Sequence, residues 1–134
     1  MILTRDSVLV VDDTEMVLRG TCALLRRRFE VASASTVERA CQALRASPKL
    51  AVAVLDWRMP GNSGRMLVDE AIRYCPDAYI ILLTGDMTHG LVANPWGQPG
   101  PHAILSKPCV PCVLLKHVDQ GATLHRQREM QRAI

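Results

Sequence analysis

The stretches Val8-Leu9-Val10-Val11-Asp12-Asp13 and Ala51-Val52-Ala53-Val54-Leu55-Asp56 share one design: a short unbroken apolar run that stops at an acid. Runs of this length and character fit strands buried on both faces, and such strands belong to parallel sheets covered by helices on two sides. A third run, Tyr79 to Leu83, ends at Thr84, and a shorter one, Ala103 to Leu105, stops just before Lys107. Phe29 to Ala34 reads as a weaker strand. Between the runs the apolar period becomes helical. Val17 or Leu18, Cys22, Leu25 and Phe29 recur at helical spacing, and Val37, Ala40, Cys41 and Leu44 fit the i, i+3, i+4, i+7 pattern. After Pro60, Gly61 and Gly64, with Asn62 or Ser63 as cap, Leu67, Ala71 and Tyr74 give a third helix its inner face. A last helix starting near Val110 is expected to carry Val113, Leu114, His117 and Leu124 inward.

The resulting order, β-α-β-α-β-α-β-(irregular)-β-α, predicts an α/β domain, a parallel sheet with helices on both faces. Asp86 to Pro101 breaks the alternation, holding Gly90, Pro95, Gly97, Pro99, Gly100 and Pro101. A stub of helix from about Met87 to Ala93 is expected there. It cannot cross Asn94-Pro95, because the residue before proline avoids the helical region. Gly90 to Pro101 is expected to be the most mobile part of the domain.

The chain has 134 residues, the size of one domain, and 49% of them are apolar, which excludes a disordered chain. At this size roughly two-thirds of the unfolded surface can be buried without staples. No apolar run approaches the ~18 residues of a membrane span, and Met-Ile-Leu-Thr-Arg-Asp lacks the layout of a signal peptide, so an intracellular protein is expected. A net charge of +3 gives no argument for nucleic acid. The five cysteines, Cys22, Cys41, Cys75, Cys109 and Cys112, are odd in number and predict no disulfide framework.

In an open α/β sheet, ligands bind beyond the carboxyl ends of the strands. Those ends supply Asp12 and Asp13, then Asp56, Thr84 and Lys107. Three carboxylates at one edge repel each other unless a cation neutralises them, and a hard cation such as Mg²⁺ suits them. A carboxylate can also attack phosphorus to form an aspartyl phosphate, whose oxygens would need an ammonium and a hydroxyl. A haloacid dehalogenase-type phosphatase would want Asp-x-Asp after the first strand, where this chain has Asp12-Asp13-Thr14. Nucleotide sites of the Rossmann or P-loop kind need a glycine-rich turn that is missing.

Four stretches, Val8 to Asp13, Asp56-Trp57-Arg58-Met59-Pro60-Gly61 with Gly64, Leu82-Leu83-Thr84-Gly85, and Leu105-Ser106-Lys107-Pro108, together resemble the receiver domain of bacterial two-component response regulators. The resemblance spans about residues 6 to 122. It implies a flavodoxin-like, doubly wound five-stranded sheet in the order 2-1-3-4-5 with a shortened fourth helix. It implies a receiver over 1–122, with 123–134 a helical extension or linker. Asp56 would be the phosphoacceptor, and Mg²⁺ would be held by Asp12, Asp13, Asp56 and the Arg58 carbonyl. Thr84 and Lys107 would contact the phosphoryl group, and Lys107-Pro108 would be cis. The donor would be a sensor histidine kinase or a histidine phosphotransfer protein, in the cytoplasm. The chain would be no enzyme beyond its own phosphorylation and dephosphorylation. It would act on an output domain or protein, bind neither membrane nor nucleic acid directly, and have homodimerisation open to it.

Two departures stand out. Receivers carry Tyr or Phe three residues before the lysine as a switch, and here that position is Ile104. Trp96, in the irregular segment, either packs on the loop surface or substitutes for the missing aromatic. Two other functions compete: a phosphate-independent interaction module on the same fold, and a dithiol redox protein using Cys109-Val110-Pro111-Cys112, which resembles a thioredoxin-type Cys-x-Pro-Cys. Arg58 and Asp86, each two residues past a key side chain, are expected to face each other across the site.

Overall fold

A computed structural model of the chain describes residues 5–61, 63–86 and 90–133. Five parallel strands form one sheet in the order β2-β1-β3-β4-β5. They are β1 (Ser7–Val11), β2 (Glu30–Ala34), β3 (Val52–Asp56), β4 (Tyr79–Thr84) and β5 (Ala103–Ser106). The helices are α1 (Glu15–Leu25), α2 (Val37–Arg45), α3 (Gly64–Tyr74) and α4 (Pro111–Arg132). β1, β3 and β4 are the continuous apolar runs, and they occupy the three central positions, where both faces are covered.

Alternation along each strand sorts the core into two layers. Val8, Val10, Val52, Val54 and Ile81 face α1 and α4, meeting Leu18, Cys22, Leu25, Leu114 and Val118. Leu9, Val11, Ala53, Leu55 and Leu82 face the other way, onto Ala40 and Leu44 of α2 and Leu67 and Ala71 of α3. Burying each Leu or Ile contributes about 1.5–3 kcal/mol, so these two layers hold the sheet between its helices. The thiols of Cys22 and Cys75 are buried, and all five cysteines are free. Cys75 donates its S–H to the carbonyls of Leu44 and Ser47 at 3.1 Å each, tying α3 to the end of α2, and burial pushes its pKa up to about 11.

α4 differs from the expected inner face. Leu114, Val118, Gly121, Ala122 and His125 are buried, whereas Val113 is exposed and His117 and Leu124 are half-buried. The phase is set by one close approach: a Cβ at Gly121 would lie 2.5 Å from Cδ1 of Tyr79. Glycine there lets the helix lie against the Tyr79 ring, and the stripe follows at 3.6-residue spacing from that contact. Beyond it, Arg128 and Arg132 pair with Asp77 at 3.3 and 2.9 Å.

The β4–β5 crossover is also not as expected. Residues 90–93 are not helical, and residues 87–89 of the expected stub lie outside the described residues. Among the described residues no helix lies between β4 and β5 in the chain. The loop instead makes a few local bonds, Asn94 N–H to the Pro101 carbonyl at 2.7 Å and Gln98 N–H to the Pro95 carbonyl at 3.2 Å. Its anchor is aromatic. The Trp96 ring lies 5.4 Å from Tyr79 and 4.8 Å from His102, with the Arg128 guanidinium 5.1 Å above it. Tyr79 opens β4 and Thr84 closes it, five residues or about 17 Å away. Trp96 therefore packs at the far end of the sheet from Thr84 and does not stand in for the switch aromatic.

The two helical glycines make a paired test. Gly121→Ala should lower stability by about 1–3 kcal/mol through overpacking against Tyr79. Gly20→Ala, exposed on α1 with nothing within 4 Å of its Cβ, should raise it by about 0.5–1 kcal/mol. Urea unfolding of both variants checks the sign of each change.

Candidate functional site

The parallel register brings the polar ends of the strands to one edge. Asp56 pairs with Leu83 and Thr84 with Ser106, and β1 lies on the other side of β3. Carboxylate oxygens of Asp12, Asp13 and Asp56 come within 4.8 Å of one another. Asp12 and Asp56 are each only 2% exposed, while Asp13 stands open to solvent. Lys107 reaches across the edge: its Nζ lies 2.9 Å from Oδ2 of Asp56 and 3.3 Å from Oδ2 of Asp12. Asp12, Asp13, Asp56 and Lys107 are thus brought together at one edge, although 95 positions separate Lys107 from Asp12.

Backbone groups complete the cradle. Thr14 N–H donates to Oδ1 of Asp12 at 2.9 Å, and Arg58 N–H donates to Oδ1 of Asp56 at 3.0 Å. These bonds fix the carboxylates and leave one oxygen of each facing Lys107. Nearby, the Thr84 hydroxyl, fully buried, donates to the Asp86 carbonyl at 3.0 Å and accepts from Asp86 N–H at 3.2 Å. Lys107 N–H donates to the Thr84 carbonyl at 2.7 Å, and the Lys107-Pro108 peptide is cis.

Electrostatics follow from burial. Loss of water pushes the Asp56 carboxyl above its ordinary pKa. The Lys107 hydrogen bond and charge and the Arg58 amide oppose this, and Asp12 adds to it. Burial works against the Lys107 ammonium, but its bonds and proximity to Asp56 and Asp12 outweigh burial and raise its pKa. The residues present suit a hard divalent cation: three carboxylates converge, oxygen is the only donor type, and one ammonium cannot neutralise all three.

The helix entries shape the site too. Gly64 is required, because a Cβ there would lie 2.0 Å from the Trp57 carbonyl oxygen. The β3–α3 loop therefore presses onto the first turn of α3, which holds Trp57 and Arg58 beside Asp56. Ser63 is the N-cap of α3, yet its hydroxyl makes no cap bond and donates instead to the Pro60 carbonyl at 2.7 Å. Asn62, the other expected cap, lies outside the described residues. Arg58 and Asp86 do face each other, Nη2 to Oδ2 at 3.8 Å.

The sequence profile of the response regulator receiver domain matches residues 8–119. The chain belongs to this family. No curated protein matches the chain significantly. Among solved structures, the response regulator StyR is 29% identical, with a TM-score of 0.81, over 97% of this chain and 65% of that one. The signal receiver domain of an HD domain-containing protein from Pseudomonas fluorescens Pf-5 is 27% identical, with a TM-score of 0.78, over 96% of each chain. A CheY-like receiver domain protein from Methanospirillum hungatei JF-1 shares the fold at 23% identity and a TM-score of 0.75, covering 93% of this chain and 99% of that one.

Within this receiver, Cys109 has a structural explanation. It precedes the N-cap Val110 and packs against the cluster that holds Leu114, four residues into α4. That is the geometry of a hydrophobic staple. Burial, with Cys112 adding, raises the Cys109 pKa, the opposite of an activated thiol. Spacing alone had not shown the two backbone clamps on Asp12 and Asp56, nor the loop bond that occupies Thr84; Asp-x-x-type turn chemistry after each strand was the available signal.

A stability test follows from the Asp56 burial. With a folded pKa above the unfolded one, the ionised carboxylate opposes folding at neutral pH, and that opposition disappears as pH falls through the folded value. Asp56→Asn should therefore unfold at a higher urea concentration than wild type at pH 7, and the difference should shrink in acid.

Proposed function

We propose that this receiver accepts a phosphoryl group on Asp56 from a histidine kinase or histidine phosphotransfer protein in the cytoplasm, and signals by the rearrangement that follows. The observation that carries the reading is the Lys107 ammonium, 2.9 Å from Asp56, beside a cluster of three acids. A carboxylate oxygen of Asp56 attacks phosphorus, the bond to the donor imidazole breaks, and the imidazole leaves with a proton from solvent. Asp12, Asp13, Asp56 and the Arg58 carbonyl would hold Mg²⁺, which supplies charge neutralisation on the transferring oxygens. Lys107 trades its bond to Asp56 for a phosphoryl oxygen. Thr84 gives up the Asp86 carbonyl to donate to another. That exchange pulls on the loop after β4, and with Ile104 in place of an aromatic the movement leaves through this loop.

The docking face for the donor lies beside the site. Met16 is 85% and Val17 50% exposed on α1, and Val110 is 58% exposed at the start of α4. They flank a groove of about 470 Å³ between α1 and α4, lined by Gly20, Leu24, Pro111 and Leu114. Exposed apolar side chains bordering a groove mark a protein interface. No helix among the described residues is long and apolar enough to cross a membrane. The outer half of α4 is the proposed route toward an output domain or protein.

Acetyl phosphate with Mg²⁺ should label wild type and leave Asp56→Asn unlabelled, with chelation of the metal abolishing the label. Full labelling of Asp56→Asn would sink the assignment. The Arg58–Asp86 pair gives a second test. Both side chains are partly solvated, so the pair adds only about 0–1 kcal/mol to stability. Its place over the site is what matters, since it partly covers the approach of water to the aspartyl phosphate. Arg58→Ala should shorten the lifetime of phosphorylated Asp56 in a dephosphorylation time course; an equal or longer lifetime would show that the pair does not shield the site.

A further inference from the structure

The imidazole of His102 joins the β4–β5 crossover to the sheet. Ile80 N–H donates to its Nδ1 at 3.0 Å, so Nδ1 carries no proton there. Nε2 lies 2.8 Å from the Gln98 carbonyl, so the neutral ring donates from Nε2 to the loop. One nitrogen thus holds β4 and the other holds the crossover. The ring is also one corner of a three-ring cluster. Tyr79 stacks on it at 5.2 Å and 25°, and Trp96 of the loop meets it edge-on at 4.8 Å. The loop backbone presses on the ring so closely that a Cβ at Gly100 would lie 2.7 Å from Cε1 and 2.8 Å from Nδ1.

A second proton would have to go on Nδ1, where it would point at another donor, the Ile80 N–H. The charges around the ring also disfavour a cation. Arg128 of α4 lies over Trp96, and its own partner is Asp77, which Arg132 shares. Cys75 at the end of α3 is an uncharged thiol, and burial keeps the Tyr79 hydroxyl protonated. Burial first, then Arg128, lowers the His102 pKa below 6.5, against an opposing pull from the Gln98 carbonyl.

We propose that His102 is an acid-released latch for the crossover: neutral, it ties residues 94–101 to β4, and protonated, it lets them go. The device goes beyond phosphorylation of Asp56 and does not depend on it. Pro99, Gly100 and Pro101 of the same loop form one wall of a cleft of about 480 Å³ whose other walls include Trp57, Val68 and Leu82. Release of the latch therefore loosens a wall of the cleft that reaches the residue next to Asp56. The sign follows from linkage. The released ring binds its proton at about the ordinary value and the latched ring only at lower pH. Latching is at full strength above pH 6.5, weakens as pH falls below it, and levels off once the latched ring itself is protonated.

The test is an NMR titration of the histidine rings in the full chain between about pH 8 and pH 5, with amide protection followed at Trp96, Gly97, Gln98 and Gly100. His102 should titrate below 6.5. Loop protection should fall about tenfold for each unit by which its pKa lies below that value, while Val52 to Leu55 keep theirs. In His102→Gln the loop should show no such pH dependence. In Arg128→Gln, which removes the neighbouring cation, the His102 titration and the loop transition should move up together. The latch is overturned if His102 titrates at or above 6.5, if the loop ignores its titration, or if His102→Gln keeps the wild-type pH dependence. Should His102→Gln not fold, separation of the two midpoints in Arg128→Gln overturns it alone.

Discussion

The Lys107 ammonium meets two buried carboxylates, Asp56 and Asp12, at the carboxyl edge of the sheet. Burying an acid is unfavourable unless a charge or hydrogen bonds compensate it. Here the compensating charge comes from one lysine, 51 positions from Asp56 and 95 from Asp12 in the sequence. Only the parallel sheet, with β1, β3, β4 and β5 all ending at one edge, brings these groups together. The same arrangement leaves three carboxylates facing one ammonium. Under the proposed function, a metal ion would relieve that repulsion and an incoming phosphoryl group would take over the lysine.

The architecture around that edge is uneven. Three crossovers carry helices packed on apolar layers. The fourth, between β4 and β5, is held by a cluster of Tyr79, Trp96 and His102 with Arg128 over the Trp96 ring. A helix satisfies its own backbone and offers a wide apolar stripe. This loop has proline where donors would be needed and satisfies itself through few bonds, so ring packing and one imidazole do the anchoring. The consequence is spatial. The aromatic anchor sits at the amino end of β4, far from Thr84, so the loop is fixed at the end of the sheet opposite that residue.

The apolar runs, their acid or hydroxyl endings and the helical periods between them were enough to read the α/β class, the strand count and the strand-end positions of Asp12, Asp13, Asp56, Thr84 and Lys107. Those signals are local: a buried strand has no polar position to spare, so its end is marked by the first polar residue. The resemblance of four short stretches to receivers supplied the strand order, which local periodicity does not contain. The Cys-x-x-Cys stretch was ambiguous for the same reason, since a staple and a dithiol look alike until Leu114 is seen against Cys109.

What the chain determined by itself was where strands and helices lie and which polar residues follow them, because backbone period and burial are written residue by residue. The tertiary structure alone decided three matters. It set the phase of α4, because the Gly121–Tyr79 contact, and not the helix's own apolar residues, chooses the inner face. It placed Trp96 against His102 instead of near Thr84, because a loop without a helical repeat carries no signal of its path. It also turned one oxygen of Asp12 and of Asp56 toward Lys107, because the amides of Thr14 and Arg58 hold the others, and the direction of a backbone N–H is fixed only when the chain around it has folded.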